Sequence, residues 1–343
     1  MSAKNCVGVG VIGLGFMGRT HIAAYEEARR NGLACRLVGV CDRHPERRAG
    51  RLGSGGNIQA DLVDRLFDPA DVRAYERFDD LIADREVDLV SVCTHTDTHV
   101  DFAVRALAAG EHVLVENPIA LRACDVKRLV ETARATSSIC MPAMCMRFWP
   151  GWSWLNERIE DGGLGAVHSA AFWRLGQVPD WAPHFYGDES RSGGAVVDLH
   201  IHDVDSLYWC FGTPRALTSV GTANHIVTLF RYTSVTGPVV AEAGWFCTKN
   251  FEFRMKYRVA FEGGTAEFDS RRECPLQLVR EGRTETIPLQ PDTGYNGEVR
   301  HILERIQGKR WDLDAPIEDG LMVARLLDAE RQSLAEATWV RLE

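Results

Sequence analysis

The first 145 residues alternate short apolar runs with longer amphipathic segments. The apolar runs, rich in β-branched residues, predict six strands, at Val7–Gly13, Leu37–Cys41, Val72–Tyr75, Asp88–Thr94, His112–Glu116 and Ile139–Met144. Apolar positions at helical spacing predict helices at Phe16–Arg30, Thr98–Ala109 and Arg122–Ala135. Because continuous apolar strands that alternate with helices are covered on both faces, this half of the chain is expected to form a doubly wound parallel sheet of the α/β class.

The pattern changes after about residue 150, where strands follow one another with turn signals between them. The expected strands are Val167–Leu175, Leu217–Gly221, Ile226–Tyr232, Val239–Phe246, Phe253–Phe261, Thr265–Asp269, Leu276–Arg280 and Thr284–Leu289. The expected helices are Trp152–Glu160, Val197–Cys210, Glu298–Ile306 and Glu318–Glu336. Closely spaced strands imply antiparallel pairing. The sequence therefore predicts two domains: residues 1–145 with the parallel sheet, and residues 146–343 as an α+β domain with a large, mainly antiparallel sheet.

Composition and charge narrow the classes of function. The 343 residues carry a formal net charge of −9, and acidic residues flank the short basic clusters, which argues against a nucleic-acid partner. No apolar run is long enough to span a bilayer, and residues 1–5 are too short and polar for a secretory signal. The ten cysteines form no CxxC pair, so buried, reduced thiols are expected instead of disulfides or a zinc site. These features predict a cytoplasmic protein that is not bound to membranes.

A glycine-rich turn follows the first predicted strand and opens the first helix. It is the GxGxxG pattern of dinucleotide-binding Rossmann domains, Gly13-Leu14-Gly15-Phe16-Met17-Gly18. The first glycine permits the tight turn, the second lets a pyrophosphate approach the backbone, and the third lets the helix lie against the strand. Asp42 ends the second strand, where a carboxylate accepts hydrogen bonds from ribose hydroxyl groups. The sequence therefore predicts an N-terminal Rossmann domain that binds NAD.

The preference between NAD and NADP stays open at this point. The carboxylate of Asp42 repels the 2′-phosphate of NADP and so favours NAD. Arg43 can stack on adenine or reach that phosphate, and it can equally be a solvated loop charge. The stretch Arg43–Ala70 is long for a connection and contains Gly53-Ser54-Gly55-Gly56, which predicts a mobile loop.

A polar cluster follows the fourth predicted strand, at the end of the sheet where open α/β folds bind ligands: Thr94-His95-Thr96-Asp97-Thr98-His99. The residues expected to border the nicotinamide and its ribose are Glu116 after the fifth strand, Thr94, His95, Thr96 and His99. Short hydroxyl and carboxylate side chains also cap helices, so Thr96, Asp97 or Thr98 is expected to cap the helix that follows.

Further motifs occur in the same order along the whole chain. Glu116-Asn117-Pro118 follows the fifth strand, and Arg147-Phe148-Trp149-Pro150 lies at the predicted domain junction. A glycine-rich loop then leads into a helix with aspartate and histidine, Gly193-Gly194-Ala195-Val196-Val197-Asp198-Leu199-His200-Ile201-His202-Asp203-Val204-Asp205. Together with the glycine turn, these motifs resemble the Gfo/Idh/MocA family of sugar and inositol dehydrogenases.

The resemblance implies NAD(P)-dependent oxidation of a secondary alcohol on a small polyhydroxylated substrate: a sugar, a sugar acid or a cyclitol. It also implies an open second sheet through which copies form a homodimer or homotetramer. The lysine of the family's Glu-Lys-Pro motif lines the substrate pocket with the aspartate and histidine of the helix, so the corresponding catalytic residues here are Asn117, Asp198 and His202. Asn117 is the departure from the family pattern, because asparagine donates a hydrogen bond but carries no charge and cannot transfer a proton.

Asp198, His202 and Asp205 recur at helical spacing, so one helix would place them on one face. A carboxylate one turn away fixes the tautomer of a histidine and raises its basicity, which suits His202 as the acceptor of the hydroxyl proton. Two other interpretations stay open. In the first, Asp198 caps the helix and the histidines are buried core residues. In the second, Asp198 and His202 join distant ligands at a metal ion, although no metal is expected. His200 and His202 project in different directions and cannot share one ion.

Three further residues are expected to contact the substrate: Arg147, Trp173 and Tyr295. Two alternatives to a simple dehydrogenase also stay open. A tightly held NAD can oxidise a sugar carbon transiently, permit elimination of a glycosidic group and then return the hydride, so that the net reaction is that of a glycosidase or lyase, as in some members of the family. A non-catalytic NAD-binding protein is the other alternative, because Asn117 replaces the family's lysine.

Overall fold

The computed structural model describes residues 6–51 and 65–342 and divides into two compact units. The first contains the chain up to Phe148 and the segment Thr293–Met322, and the second contains Trp149–Asp292 and the chain from Val323 onward. The change of unit at Phe148 lies close to the predicted boundary. The segment Thr293–Met322, which the sequence assigned to the C-terminal domain, folds with the N-terminal unit instead.

Six parallel strands form the sheet of the first unit, as predicted. They are β1 (Val7–Ile12), β2 (Cys35–Cys41), β3 (Arg73–Tyr75), β4 (Leu89–Val92), β5 (His112–Val115) and β6 (Cys140–Pro142). Their order is β3-β2-β1-β4-β5-β6, and every neighbouring pair is parallel. Every residue of β1 and of β4 is buried, as expected for strands covered on both faces. The order reverses between β1 and β4, which makes their carboxyl ends the switch point at which such sheets bind ligands.

The connections in this sheet are helical. They contain α1 (Phe16–Arg30), α2 (Pro45–Arg48), α3 (Phe78–Ile82), α4 (His99–Ala109) and α5 (Ala123–Arg134). The sequence pattern missed α2 and α3, because four or five residues are too few for helical periodicity to appear. The predicted loop around Gly53–Gly56 lies outside the described residues.

Nine strands form the sheet of the second unit in the described part of the chain, and eight of them were predicted. They are β7 (Val167–Leu175), β8 (Ala216–Thr222), β9 (His225–Arg231), β10 (Val239–Gly244), β11 (Arg254–Phe261), β12 (Gly264–Asp269), β13 (Leu276–Arg280), β14 (Arg283–Thr286) and β15 (Val340–Arg341). The order is β14-β13-β12-β11-β7-β10-β9-β8-β15. Pairing is antiparallel throughout except between β7 and β10, which confirms the mainly antiparallel sheet. The two-residue strand β15 is too short to show alternation.

The remaining helices are α6 (Pro150–Glu160), α7 (Pro183–Tyr186), α8 (Glu189–Ser192), α9 (Gly194–Asp198), α10 (Ile201–Phe211), α11 (Gly294–Ile306) and α12 (Ile317–Glu336). The single helix predicted at Val197–Cys210 is wrong, because the chain forms α9 and α10 with a break at Leu199 and His200. The amide groups of both residues donate to the carbonyl oxygen of Ala195, at 3.0 and 2.8 Å. Since two donors compete for one acceptor, the regular helical ladder is interrupted there.

The core of the second unit lies between the sheet and the helices α6 and α10. Trp152 of α6 is 1% exposed and makes edge contacts with Tyr257 and Phe268. Cys41, Cys93 and Cys140 of the first unit are buried, as predicted, whereas Cys6, Cys124 and Cys274 are exposed, so the expectation of buried thiols is wrong for those three. Within the described residues, no helix has both the length and the apolar character needed to cross a membrane.

Candidate functional site

The glycine turn between β1 and α1 has the shape that a bound pyrophosphate requires. Gly13 adopts a φ of 86°, and a Cβ there would collide with the carbonyl group of Cys93 at the end of β4. A Cβ on Gly18 would overlap the carbonyl oxygen of Gly13, so only glycine lets α1 pack this closely against the turn. By contrast, a Cβ on Gly15 would meet no atom of the described residues within 4 Å. The turn is therefore open above Gly15, where the N-terminus of α1 can accept an anion.

The first turn of α1 begins with Phe16 and Met17, both half-buried, and contains no acidic residue that would repel a phosphate. The predicted pyrophosphate contacts thus lie on the segment immediately after β1. Thr96, which was predicted to border the nicotinamide and its ribose, is buried in a 3₁₀ turn, Thr96–Thr98, that follows β4.

Asp42 follows β2 and is held in place by two backbone amides. Leu14 N donates to Oδ2 at 2.7 Å, and His44 N donates to Oδ1 at 2.8 Å. The bond from Leu14 joins Asp42 directly to the glycine turn, so the ribose acceptor and the phosphate cradle belong to one local structure. Arg43 is exposed and its Nε donates to Nε2 of His44 at 3.2 Å, in the position of a solvated loop charge.

His99 connects the segments that follow β4 and β5. Its Nδ1 lies 2.9 Å from the carbonyl oxygen of Pro118, and its Nε2 lies 2.9 Å from that of Thr94. Both ring nitrogens therefore contact the backbone, which gives this predicted cofactor residue a structural role. Thr98 occupies the N-cap position of α4 without capping it, because its hydroxyl group lies 2.7 Å from both Thr94 Oγ1 and His95 O. Of the three residues expected to cap this helix, Thr98 therefore does not do so through its side chain.

Glu116 and Asn117 follow β5 at the same edge of the sheet. Glu116 is 5% exposed, and its Oε1 lies 2.7 Å from Nε2 of His21. Its Oε2 accepts a hydrogen bond from Asn117 N at 3.2 Å. The side chain of Asn117 is half-buried, and its Nδ2 donates to the carbonyl oxygen of Ala143 at 2.7 Å. An amide group carries two N–H bonds, so Asn117 can still offer a donor to a ligand.

His202 lies on α10 and is partly exposed. Burial and the positive charge of Arg174 lower its pKa from 6.5 to about 3. Arg174, on β7, forms a buried ion pair with Asp203, in which Nε–Oδ2 is 3.2 Å and Nη2–Oδ1 is 3.0 Å. His202 is therefore neutral at physiological pH. The expectation of a raised basicity is wrong, because burial disfavours the charged imidazole and the guanidinium of Arg174 adds to that effect.

Asp198 is the last residue of α9, and His202 lies beyond the break, in α10. The two residues therefore lie on two helices and not on the single helix that the sequence spacing suggested. His200 is buried with its Nε2 3.0 Å from Oε1 of Glu330. Burial lowers the pKa of His200, but the carboxylate of Glu330 outweighs it and raises the pKa overall. Asp203 also has a side-chain partner, the guanidinium of Arg174.

The predicted substrate residue Arg147 is 3% exposed and lies in the first unit. Its Nη1 donates to the carbonyl oxygen of Asp314 at 2.7 Å and to Oδ2 of Asp319 at 2.6 Å. A buried guanidinium paired in this way stabilises the fold, so the structure gives Arg147 a structural role in place of the predicted one. Tyr295 is half-buried in the first turn of α11, a helix that begins four residues earlier than predicted.

Trp173 lies on β7 beside Arg174, and successive side chains of a strand point to opposite faces of the sheet. Arg174 contacts Asp203 of α10, so Trp173 points away from the helix that carries His202. Its ring lies 5.5 Å from Nζ of Lys256 on the other face. Arg174 is thus the residue of this strand that acts on His202, and sequence analysis missed it. The alternation of side-chain directions along β7, which places Arg174 and Trp173 on opposite faces of the sheet, was the signal that could have identified it.

Two family models match the chain. The model described as "Oxidoreductase family, NAD-binding Rossmann fold" matches residues 7–144, and the "GFO/IDH/MocA C-terminal domain" matches residues 152–267. Among curated proteins, inositol 2-dehydrogenase of Rhizobium meliloti is 26% identical over 343 residues, which cover 95% of this chain and 96% of that protein. Human trans-1,2-dihydrobenzene-1,2-diol dehydrogenase is 24% identical over 280 residues, covering 76% of this chain and 82% of that protein.

A solved structure of levoglucosan dehydrogenase in complex with NADH and levoglucosan has the same fold. Its TM-score is 0.83 with 19% sequence identity, and the match covers 98% of this chain and 99% of that chain. At this identity the comparison establishes the fold over nearly the full length of both chains.

Proposed function

Because the chain belongs to the Gfo/Idh/MocA family of NAD-binding oxidoreductases, we propose that it oxidises a secondary alcohol of a sugar, sugar acid or cyclitol by hydride transfer to NAD. The observation that carries the proposal is the glycine turn, which is open above Gly15 and joined to Asp42 through Leu14 N. The relatives named for inositol and levoglucosan support a polyhydroxylated substrate.

The bound NAD supplies the hydride acceptor. The backbone amides of Gly13–Gly18 at the N-terminus of α1 hold the pyrophosphate, and Asp42 accepts hydrogen bonds from the adenosine ribose. A 2′-phosphate would meet the Asp42 carboxylate, which favours NAD. Arg47 Nη1 lies 3.6 Å from Asp42 Oδ2 and is 46% exposed, so a basic side chain is available nearby if the acid is removed.

We expect Asp42→Ala to weaken NADH binding by about 10- to 100-fold, because hydrogen bonds to a charged group contribute about 1.5–3 kcal/mol. Affinity for NADPH should fall less or rise, since the repulsive carboxylate is gone. Fluorescence titration with both cofactors measures the change. Asp101→Ala, at a side chain that is 67% exposed on α4, is the matched control and should bind like wild type. Equal affinities of Asp42→Ala and wild type for NADH would remove Asp42 from the site.

We propose that His202 accepts a hydrogen bond from the reacting hydroxyl group and that Asn117 serves as a neutral hydrogen-bond donor to the substrate. A neutral imidazole keeps an acceptor nitrogen at any pH well above its pKa of about 3. The same low pKa makes His202 a poor store for the proton, so the proton must pass to solvent water as the hydride leaves. Asp198 is proposed as a further substrate ligand from the preceding helix.

Copies of the chain are proposed to associate through the face of the nine-stranded sheet that carries Trp173. Residues paired directly across the strands share this face, and they form the row Val220, Val227, Glu242, Trp173 and Lys256. Val220 is 66% exposed, an apolar side chain that a second copy would cover.

The test is anaerobic incubation of the purified protein with NAD and a panel of sugars, sugar acids, cyclitols and glycosides. Reduced nicotinamide and released sugar are followed together. Net formation of NADH from a polyol supports the proposal. Release of sugar without net NADH would instead support transient oxidation by a retained cofactor. Binding of NADH without turnover on any compound would support the non-catalytic alternative that Asn117 suggests.

Asn117→Lys introduces the amine found at this position in the family. An ammonium group beside the reacting oxygen favours the alkoxide, and positioned acid–base groups contribute about 10²- to 10⁴-fold. We expect kcat to rise at least about tenfold, measured from the initial rate of NADH formation on a substrate from the panel. Asn117→Gln, which adds length without charge, is the control. A rise with glutamine equal to that with lysine would show that charge is not what Asn117 lacks.

A further inference from the structure

A group of buried polar side chains lies next to Glu116 in the first unit. His21 and Tyr25 come from α1, Ser91 from β4 and Glu298 from α11. His21, Ser91 and Glu298 are 0% exposed, and Tyr25 is 2% exposed. None of these four was singled out by the sequence patterns, and none has a part in cofactor or substrate binding as proposed above.

The group forms a continuous chain of hydrogen bonds that ends at Asn117. Tyr25 Oη lies 2.7 Å from Ser91 Oγ, and Ser91 Oγ lies 3.2 Å from Nδ1 of His21. Nε2 of His21 lies 2.7 Å from Oε1 of Glu116, whose Oε2 accepts from Asn117 N. One assignment of protons satisfies every contact: the phenol donates to the serine, the serine to Nδ1, and Nε2–H to an ionised Glu116.

Glu298 faces this chain without joining it. Its Oε1 lies 3.6 Å from Nε2 of His21, and neither carboxyl oxygen has a hydrogen-bond partner in residues 6–51 and 65–342. A carboxylate buried without donors is strongly destabilised, so the neutral acid is favoured. Burial, reinforced by the negative charge of Glu116, raises the pKa of Glu298 well above its ordinary value. Glu298 is therefore a protonated acid, whereas both carboxyl oxygens of Glu116 have hydrogen-bond partners.

A metal ion is the other arrangement to consider, because ligand atoms of His21, Cys93 and Glu116 all lie within 4.8 Å of one another. The distance of 2.7 Å between Nε2 and Oε1 is that of a hydrogen bond. Tetrahedral zinc with bonds of about 2.0 Å would hold two ligand atoms about 3.3 Å apart. Burial, reinforced by the negative charge of Glu116, raises the pKa of the Cys93 thiol, so it stays protonated. The hydrogen-bond chain accounts for these side chains without an ion.

We propose that His21 is a positioning residue for Glu116 and Asn117, and that Glu298 beside it carries a proton so that a single negative charge stays on Glu116. Nε2–H of His21 stabilises the carboxylate, and the carboxylate orients the backbone of Asn117. The part of this inference that concerns turnover rests on the proposed function of Asn117. The protonation states of Glu298 and Cys93 do not depend on it.

Infrared difference spectroscopy tests the protonation states without any turnover. Wild type should show the carbonyl stretching band of a buried neutral carboxyl group, and Glu298→Gln should lose it. Glu131→Gln makes the same exchange at a side chain that is 64% exposed and should leave the band unchanged. Absence of the band from wild type, or its persistence in Glu298→Gln, would overturn the proposal. So would a stoichiometric metal ion in the purified protein.

The positioning role is tested by two amides of different length at residue 21. Glutamine reaches the place of Nε2 and keeps a donor to Glu116, whereas asparagine does not. We expect His21→Asn to lower kcat about tenfold with little change in the KM for NAD, because misplacement of a reacting group slows the chemical step. His21→Gln should recover most of the rate. Equal rates of the two variants would contradict the positioning role. If wild type has no turnover on any compound, the infrared experiment still tests the protonation of Glu298.

Discussion

Replacing Arg174 with methionine is expected to lower the free energy of unfolding by about 3–5 kcal/mol, the usual cost of leaving one partner of a buried ion pair uncompensated. The guanidinium and the carboxylate of Asp203 are 2% and 1% exposed and share two hydrogen bonds. Without Arg174, Asp203 is left charged in the core or must take up a proton. Denaturant titration, with the m-value compared between variants, measures the loss.

Two further variants make this prediction specific. Arg128→Met removes a pair of similar chemistry, Arg128–Asp101, whose side chains are 57% and 67% exposed, and should cost less than about 1 kcal/mol. The double variant Arg174→Met with Asp203→Leu removes both charges and should recover much of the lost stability. If Arg174→Met were no more destabilised than Arg128→Met, the ion pair would not be the link that holds α10 to β7.

Replacing His202 with asparagine is expected to lower kcat by about 100-fold, at the lower end of the contribution of positioned proton-transfer groups, because the amide of asparagine can accept a hydrogen bond but cannot take the hydroxyl proton even transiently. The affinity for NADH should stay at the wild-type value, since the proposed cofactor contacts lie in the other unit. Steady-state rates on a substrate from the panel, combined with NADH titration, separate these effects. Unchanged turnover would remove His202 from its proposed role.

The lowered pKa of His202 also fixes the sign of two pH effects. The folded protein takes up a proton on this imidazole only near pH 3, so His202 should cause no loss of kcat between about pH 5 and 8. The unfolded chain takes it up near pH 6.5. Between these values the unfolded state binds more protons, so this residue makes stability rise with pH, and His202→Asn should flatten that part of the curve. An inflection of kcat near pH 6.5 that disappears in His202→Asn would show a basic histidine instead.

The part of the site nearest β1 could be predicted because its chemistry depends on neighbours in sequence. The roles assigned to Gly13 and Gly18 match their geometry, since each is set by the path of the chain through one turn. Asp42 was identified because it ends the strand that pairs with β1, and it lies against Leu14 N as that topology requires.

The rest of the site depends on contacts between distant parts of the chain, which a single sequence does not contain. Glu298 approaches His21 only because α11 folds into the first unit. The break between α9 and α10 has no glycine or proline to signal it, and it follows from competition between two amides for Ala195 O. The error at Trp173 was of another kind: the strand was correct, but which of its faces meets a helix is decided by packing.

The return of α11 to the first unit has a consequence for how the protein is made. Asn296 Nδ2 donates to Glu27 Oε2 at 2.9 Å, and Gln307 Nε2 donates to Ala34 O at 2.8 Å. Helix α11 therefore packs against α1, the helix that follows the glycine turn. During translation, α1 leaves the ribosome long before α11 is synthesised. The N-terminal unit of the nascent chain therefore cannot complete its core until nearly the whole polypeptide has emerged. Until then, the buried group around His21 and Glu116 stays uncovered on the side that α11 covers in the folded protein.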